Sequence, residues 1–295
     1  MNSNKSIINL KDWILLDLIF KNYKSFIYNI IPKKNDTLSE EDKKFLYKNK
    51  WVLKIADDPR EINAITSLEL YNNNLCIKIY KNSLHYDSLN KQSWYIMEKY
   101  ENTIYNNFKY GQDNLIKLGK YMIEFFEWLH IENEKIHGDI KSNNIMFKSS
   151  YNDNPFKLID YEFIDNQNIH LLCNEDEKNS YYYYHIGCEY NKPYFSFRMD
   201  LEAFGYVLHS MALSKESYYL LEWQDRALEY YESKKFTNEY IDLNFIRNSC
   251  KIEDTLKNNK YKDIIIKYFD IIKKQDWFEN PCIEVYKDLK KIFLF

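Results

Sequence analysis

Hydrophobic residues fall in two patterns along this chain, and the change between them comes near residue 100. Residues 13–31 read WILLDLIFKNYKSFIYNII, two β-branched and aromatic runs split by Lys21-Asn22-Tyr23-Lys24. That pattern predicts a β-hairpin. Residues 32–50 turn polar and charged, as a surface insertion does, and Trp51-Val52-Leu53-Lys54-Ile55 resumes the strand character. Apolar positions at Ile62, Ile65 and Leu68 recur at helical spacing and predict a short helix over 60–70. Residues 75–80 and 94–97 are the next strand candidates.

After Gly111, the first glycine, the period becomes helical. Residues 115–130 (LIKLGKYMIEFFEWLH) put Leu115, Leu118, Met122, Phe125, Phe126 and Leu129 on one face. Two short apolar runs, 144–147 and 156–159, flank the polar stretch SSYNDNP. Residues 161–199 are irregular and Tyr-rich, and helices are predicted over 200–213, 218–231, 240–248, 261–274 and 282–293. Strands first and helices later make an α+β chain with a boundary near 98–103. No internal repeat is present.

The composition narrows the class. At 295 residues the chain has room for one large domain or two lobes, and 45% hydrophobic with 29% charged residues suits a globular protein rather than a disordered one. The wealth of Lys, Asn, Ile and Tyr reads as the codon bias of an AT-rich genome. A net charge of −3 argues against nucleic acid as the main partner. Cys76, Cys173, Cys188, Cys250 and Cys282 are scattered without zinc spacing or a disulfide framework, which suggests a reducing, cytoplasmic setting. The apolar run 13–20 is broken by Asp17 and preceded by Lys11 and Asp12. It is too short and charged for a membrane span or signal peptide.

Candidate chemistry concentrates in residues 137–144, His-Gly-Asp-Ile-Lys-Ser-Asn-Asn. Phosphoryl transfer requires a positioned hydroxyl, held metal ions and stabilised charge. Asp139 can meet the hydroxyl and Asn144 a metal ion, while Lys141 can reach a transferred phosphate. Asp160, following a short apolar run, offers a second carboxylate for Mg²⁺. A lone Asp-Asn loop would merely cap a turn, but four polar residues in this order between apolar strands point to chemistry.

In the order H-x-D-x-K-x-x-N and then I-D, these residues resemble the protein-kinase superfamily. Residues 198–208 (RMDLEAFGYVL) resemble the R-x-D-L-E-x-x-G-Y-x-L helix of casein kinase 1 and the vaccinia-related kinases. His137-Gly138-Asp139-Ile140-Lys141 is similar to the H-G-D-I-K of the latter, and Asp160-Tyr161 to the start of its D-Y-G. The resemblance runs over 13–295 and implies a two-lobed fold. A small β-rich lobe (1–97) would be joined by a hinge (98–103) to a larger helical lobe (104–295).

The same resemblance implies ATP and Mg²⁺ as cofactors and a serine or threonine hydroxyl of a protein as acceptor. Asp139 would take the hydroxyl proton, Lys141 steady the γ-phosphate, and Asn144 and Asp160 hold Mg²⁺. Lys54 would pair the α- and β-phosphates, with Glu61 as its ionic partner and Glu69, at a more usual distance in sequence, as the rival. Ile19, Ile27, Val52, Met97, Glu98, Tyr100 and Met146 would surround the nucleotide, and Asp200 would hold the catalytic-loop backbone. A large DNA virus would suit both codon bias and family, and would put the protein in host cytoplasm.

Three motifs depart from the family, at five positions. Residues 19–28 align with I-G-x-G-x-F-G-x-V-Y, but Phe20, Asn22 and Ser25 replace the glycines that let backbone N–H groups meet phosphate. Glu162 replaces the glycine of D-Y-G, where its carboxylate would either repel phosphate or join the metal site. Ile159-Asp160-Tyr161-Glu162 also resembles choline kinases and aminoglycoside phosphotransferases, which act on small molecules. Gly138 replaces the arginine that pairs a phosphorylated activation loop, so that switch is expected to be missing. The first reading is therefore a serine/threonine protein kinase, beside a pseudokinase scaffold and a small-molecule kinase. Tyr181 to Tyr184 read as packing, Glu175-Asp176-Glu177 as a solvated loop, and His130 and His209 as packed histidines.

Overall fold

The computed structural model describes residues 12–33, 40–149, 155–166, 196–214, 252–275 and 280–294. The protein is mixed α+β and divides into two compact units, Met1–Glu101 with Ile159–Glu162, and Asn102–Leu158 with Phe163–Phe295. The predicted helices over 218–231 and 240–248, the tyrosines 181–184, the acidic run 175–177 and Cys173, Cys188 and Cys250 lie outside the described residues.

The first unit is built on a five-stranded antiparallel sheet of β1 (Trp13–Lys21), β2 (Ser25–Pro32), β3 (Trp51–Ala56), β4 (His85–Asp87) and β5 (Gln92–Glu98), in the order β1-β2-β3-β5-β4. The predicted hairpin is β1 and β2. Alternation sends Trp51, Leu53 and Ile55 to a core with Trp13, Ile30, Leu46 and Ile96. Leu46 comes from the helix α1 (Glu40–Lys48), inside the stretch expected to be a surface insertion. Its carbonyl accepts the Trp51 indole N–H at 2.8 Å, and the Tyr47 hydroxyl donates to Lys33 O at 3.0 Å, so both contacts tie this largely polar segment to the sheet. Beyond Trp13, β1 is exposed along its whole length and forms the sheet edge. Two ladder irregularities and the charge of Asp17 interrupt it, as edge strands commonly are.

Residues 75–80 do not form the regular strand their composition predicts. Only Ile79 bridges Met97, with Glu98 N–H on Lys78 O and Tyr80 N–H on Ile96 O. The rest of that β5 edge pairs with β4, which leaves room for a short contact rather than a full strand. The helix α2 (Arg60–Ser67) stops before Leu68 and buries Glu61, Ile62, Ala64 and Ile65.

The second unit is mainly helical. The helix α3 (Phe108–Asp113) leads into α4 (Leu115–Glu127), whose buried face is the predicted one, and the last turn widens into a π-helical segment, Trp128–Glu132. The helix α5 (Phe197–Ala212) is buried at nearly every position, capped by the Ser196 hydroxyl accepting Arg198 N–H at 3.1 Å. It packs with α4 and α7 (Lys262–Lys273); α6 (Ile252–Thr255) precedes α7, and α8 (Ile283–Ile292) packs on α4 and α7. Short strands complete the unit: β6 (Asn102–Thr103), β8 (Ile145–Phe147) and β9 (Phe156–Leu158) form one sheet, β7 (Lys135–Ile136) and β10 (Asp165–Asn166) another. Among the described residues no helix is long and apolar enough to cross a membrane.

Burial of His209 has a thermodynamic consequence. Its Nε2 lies 2.6 Å from Thr255 Oγ1, whose own proton goes to Ile252 O, so the imidazole donates from Nε2. Burial lowers its pKa to about 4. The folded pKa is below the unfolded value near 6.5, so the unfolded state binds more protons as pH falls from about 6.5 to 4. The stabilisation is complete above pH ~6.5 and drains over that window, by up to roughly 3 kcal/mol. Denaturant titrations from pH 4 to 7.5 should therefore show a shallower acid loss for His209→Gln than for the unaltered chain. Parallel pH profiles would overturn this.

Candidate functional site

In the first unit, strand pairing puts Lys54 opposite Ile27 on β2 and Tyr95 on β5, and Val52 opposite Met97. Cross-strand partners share a face, so Ile27, Val52, Lys54, Tyr95 and Met97 line one side of the sheet. Phe20, rather than Ile19, is the ladder partner of Ile27, and Ile19 falls where the β1 register slips. Ile19 is exposed, while Met97, Glu98 and Tyr100 are buried. The N–H groups of Glu98 and Lys99 are bonded to Lys78 O and Lys50 O, each at 2.8 Å, so neither is a donor for a ligand.

Lys54 is the centre of a charge cluster. Its Nζ lies 2.7 Å from Glu61 Oε2 and 3.0 Å from Asp160 Oδ1. Burial alone would pull its pKa down, but the Asp160 and Glu61 carboxylates outweigh it and hold the ammonium well above its ordinary value. Glu61, not Glu69, is the partner. It stands in the first turn of α2 on the buried face, whereas Glu69 follows the helix in a left-handed conformation, exposed and bonded to Asn72.

Glu61 has two further donors that the pattern of residues did not reveal. Its Oε1 accepts the Tyr95 hydroxyl at 2.9 Å and the Tyr161 N–H at 3.2 Å. Tyr161 is fully buried, and its hydroxyl accepts Ile77 N–H at 3.4 Å. Held at both ends, Tyr161 supports Asp160 at φ 70°, a left-handed conformation that aspartate tolerates better than most residues. The signal for Tyr95 was present: it stands two residues before Met97, on the same strand face. Glu162 joins the cluster electrostatically. Burial first, then the Asp160 charge, raises its pKa to about 7 against the pull of Lys54 and Lys24.

In the second unit the loop after β7 is cross-braced. Lys141 Nζ donates to Asp139 Oδ2 at 2.7 Å, and Asn144 Nδ2 donates to the same oxygen at 2.8 Å and to Asp139 O at 3.0 Å. Because the Asn144 amide nitrogen makes both bonds, its Oδ1 is the group left for a cation. Met146, half-buried, follows on β8. Gly138 has φ 79°, which explains glycine rather than arginine here: a side chain would be strained.

Asp200 holds this loop from α5. Its Oδ2 accepts His137 N–H at 2.6 Å and Oδ1 accepts Gly138 N–H at 2.9 Å. His130 completes the network, with Nε2 3.1 Å from Asp200 Oδ2 and Nδ1 2.6 Å from the Tyr286 hydroxyl. The carboxylate makes Nε2 the donor, so Tyr286 O–H donates to Nδ1. The π-helical turn carries His130 into this position, a use to which such turns are often put.

One lysine against two carboxylates leaves the first cluster net negative, suited to a divalent cation, while Asn144 offers an amide oxygen in the second unit. Among the described residues no group of three or more His, Cys, Asp or Glu is placed to hold a metal ion. Compared with known protein families, the chain matches no family model.

Proposed function

We propose that this chain is an ATP-dependent serine/threonine protein kinase, its two units being the small and large lobes of a protein-kinase-like fold. The observation that carries the reading is the half-buried Lys54 bonded to both Glu61 and Asp160, carboxylates 7 and 106 positions away in the sequence. Taking a lysine and two carboxylates out of water is costly even when they are paired, and charge clusters of this kind gather at functional sites.

In this reading Lys54 would pair the α- and β-phosphates, while Asp160 of the first unit and Asn144 of the second would each offer an oxygen ligand to Mg²⁺. The metal supplies charge neutralisation at the phosphates when bound. Asp139 orients the acceptor hydroxyl and takes its proton, while Lys141, already on Asp139 Oδ2, is poised to follow the transferred phosphate. Asp200 fixes the backbone just before Asp139, so the carboxylate needs little reorganisation. Glu162 favours a second reading, a small-molecule kinase, because Ile159-Asp160-Tyr161-Glu162 resembles the corresponding motif of choline kinases and aminoglycoside phosphotransferases.

Labelled ATP with Mg²⁺, offered with casein, histones and a panel of aminoalcohols, separates the readings. Protein labelling supports the first and aminoalcohol labelling the second; no labelling favours a scaffold. Calorimetry gives a further expected result. Mg²⁺ should tighten ATP binding by roughly tenfold or more, and Asp160→Ala should abolish that gain. Tight binding indifferent to both metal and Asp160 would overturn the assignment.

A further inference from the structure

The turn joining β1 and β2 carries an arrangement that the proposed function leaves unused. The backbone N–H of Lys24 donates to Asn22 Oδ1 at 2.9 Å, the N–H of Ser25 to the same oxygen at 2.5 Å, and the Ser25 hydroxyl at 3.0 Å. Three donors thus converge on one oxygen. The turn is braced from both sides, by Asn22 N–H on Ser25 O at 3.0 Å and by Asp57 N–H on Lys24 O at 3.1 Å.

Successive backbone N–H groups converging on a point form a concavity that suits an anionic oxygen. Here a neutral amide oxygen from the turn itself occupies it. Two ammonium groups belong to the same turn: Lys21 lies over the Phe26 ring and Lys24 over the Tyr23 ring. The strand ladder pairs Ser25 with Ala56 and Ile27 with Lys54, so the turn and the Lys54 cluster lie at the same end of this sheet. A neutral acceptor held by three donors beside lysines is what a phosphate oxygen would displace.

We infer that Asn22 Oδ1 is an intramolecular stand-in for a phosphate oxygen, filling the donor set of Lys24 and Ser25 until a nucleotide's polyphosphate displaces it. This rests on the ATP reading and deepens it. The missing glycines are then not simply a loss of phosphate contacts. The donors persist, and the side chain at position 22 competes for them. The binding-competent turn is a minor state, so apparent affinity for polyphosphate is reduced by its population. The competition acts on the phosphate tail and leaves the nucleoside untouched.

The test compares the full chain with Asn22→Ala and Asn22→Gly by calorimetry against inorganic tripolyphosphate, Mg·ATP and adenosine. Either variant suffices if its melting transition stays cooperative. Removing the competing oxygen should tighten tripolyphosphate and Mg·ATP by about tenfold and leave adenosine unchanged. Unchanged or weaker tripolyphosphate binding by a folded variant overturns the inference, even if the unaltered chain binds ATP well. Equal tightening of adenosine also overturns it, because the effect would not lie at the phosphates. If the variants gain tripolyphosphate affinity but no form binds ATP or adenosine, the stand-in is supported and the ATP reading fails.

Discussion

Asp139→Asn should lower turnover by about a thousandfold, within the range general-base groups supply, while leaving the folded structure intact. Asp139 is largely buried, and its Oδ2 receives both Lys141 and Asn144. An asparagine can place its amide oxygen on the same two donors, so the loop keeps its cross-bracing. What it cannot do is take a proton from a hydroxyl, and this need arises in the transition state rather than in binding. The loss should therefore fall on kcat, with KM for ATP and the thermal midpoint nearly unchanged. Steady-state labelling on whichever substrate the acceptor panel identifies reads this directly. A variant with near-normal kcat would remove Asp139 from the chemistry.

The largest effect on stability is expected at Asp200. Its carboxylate is almost wholly buried and accepts the backbone N–H groups of His137 and Gly138 as well as His130 Nε2. Asp200→Ala strands all three donors away from water, and breaking one side of a buried charged network costs about 3–5 kcal/mol. Asp200→Asn should be intermediate, because one amide oxygen can keep a backbone donor while the NH₂ group faces another donor. Since the two stranded N–H groups immediately precede Asp139, activity should fall in both variants under conditions where they remain folded. Chemical denaturation separates the two effects. An alanine variant within about 1 kcal/mol of the parent would show that the network contributes little.

Much of this protein was legible from residue order because the relevant interactions are local. The β1–β2 hairpin, β3 and the buried face of α4 follow from periods of two and 3.6, which depend only on backbone geometry. The Asp139–Lys141–Asn144 cluster spans six residues, so its spacing almost dictates its hydrogen bonds. Other features had no local signature. The choice of Glu61 over Glu69 depended on where α2 stops, and sequence distance from Lys54 pointed the other way. Residues 75–80 have strand composition, but the β5 edge they would pair with is shared with β4. Leu46 looked like part of a polar insertion until the Trp51 indole bound its carbonyl. The supports of Glu61 and Asp200 come from Tyr95 and Tyr161, and from His130 with Tyr286, at separations of 34 to 156 residues. Residue order determined which groups could do chemistry. Packing decided which of them meet, because a buried polar group is held by whichever donor the fold brings within about 3 Å, irrespective of its place in the chain.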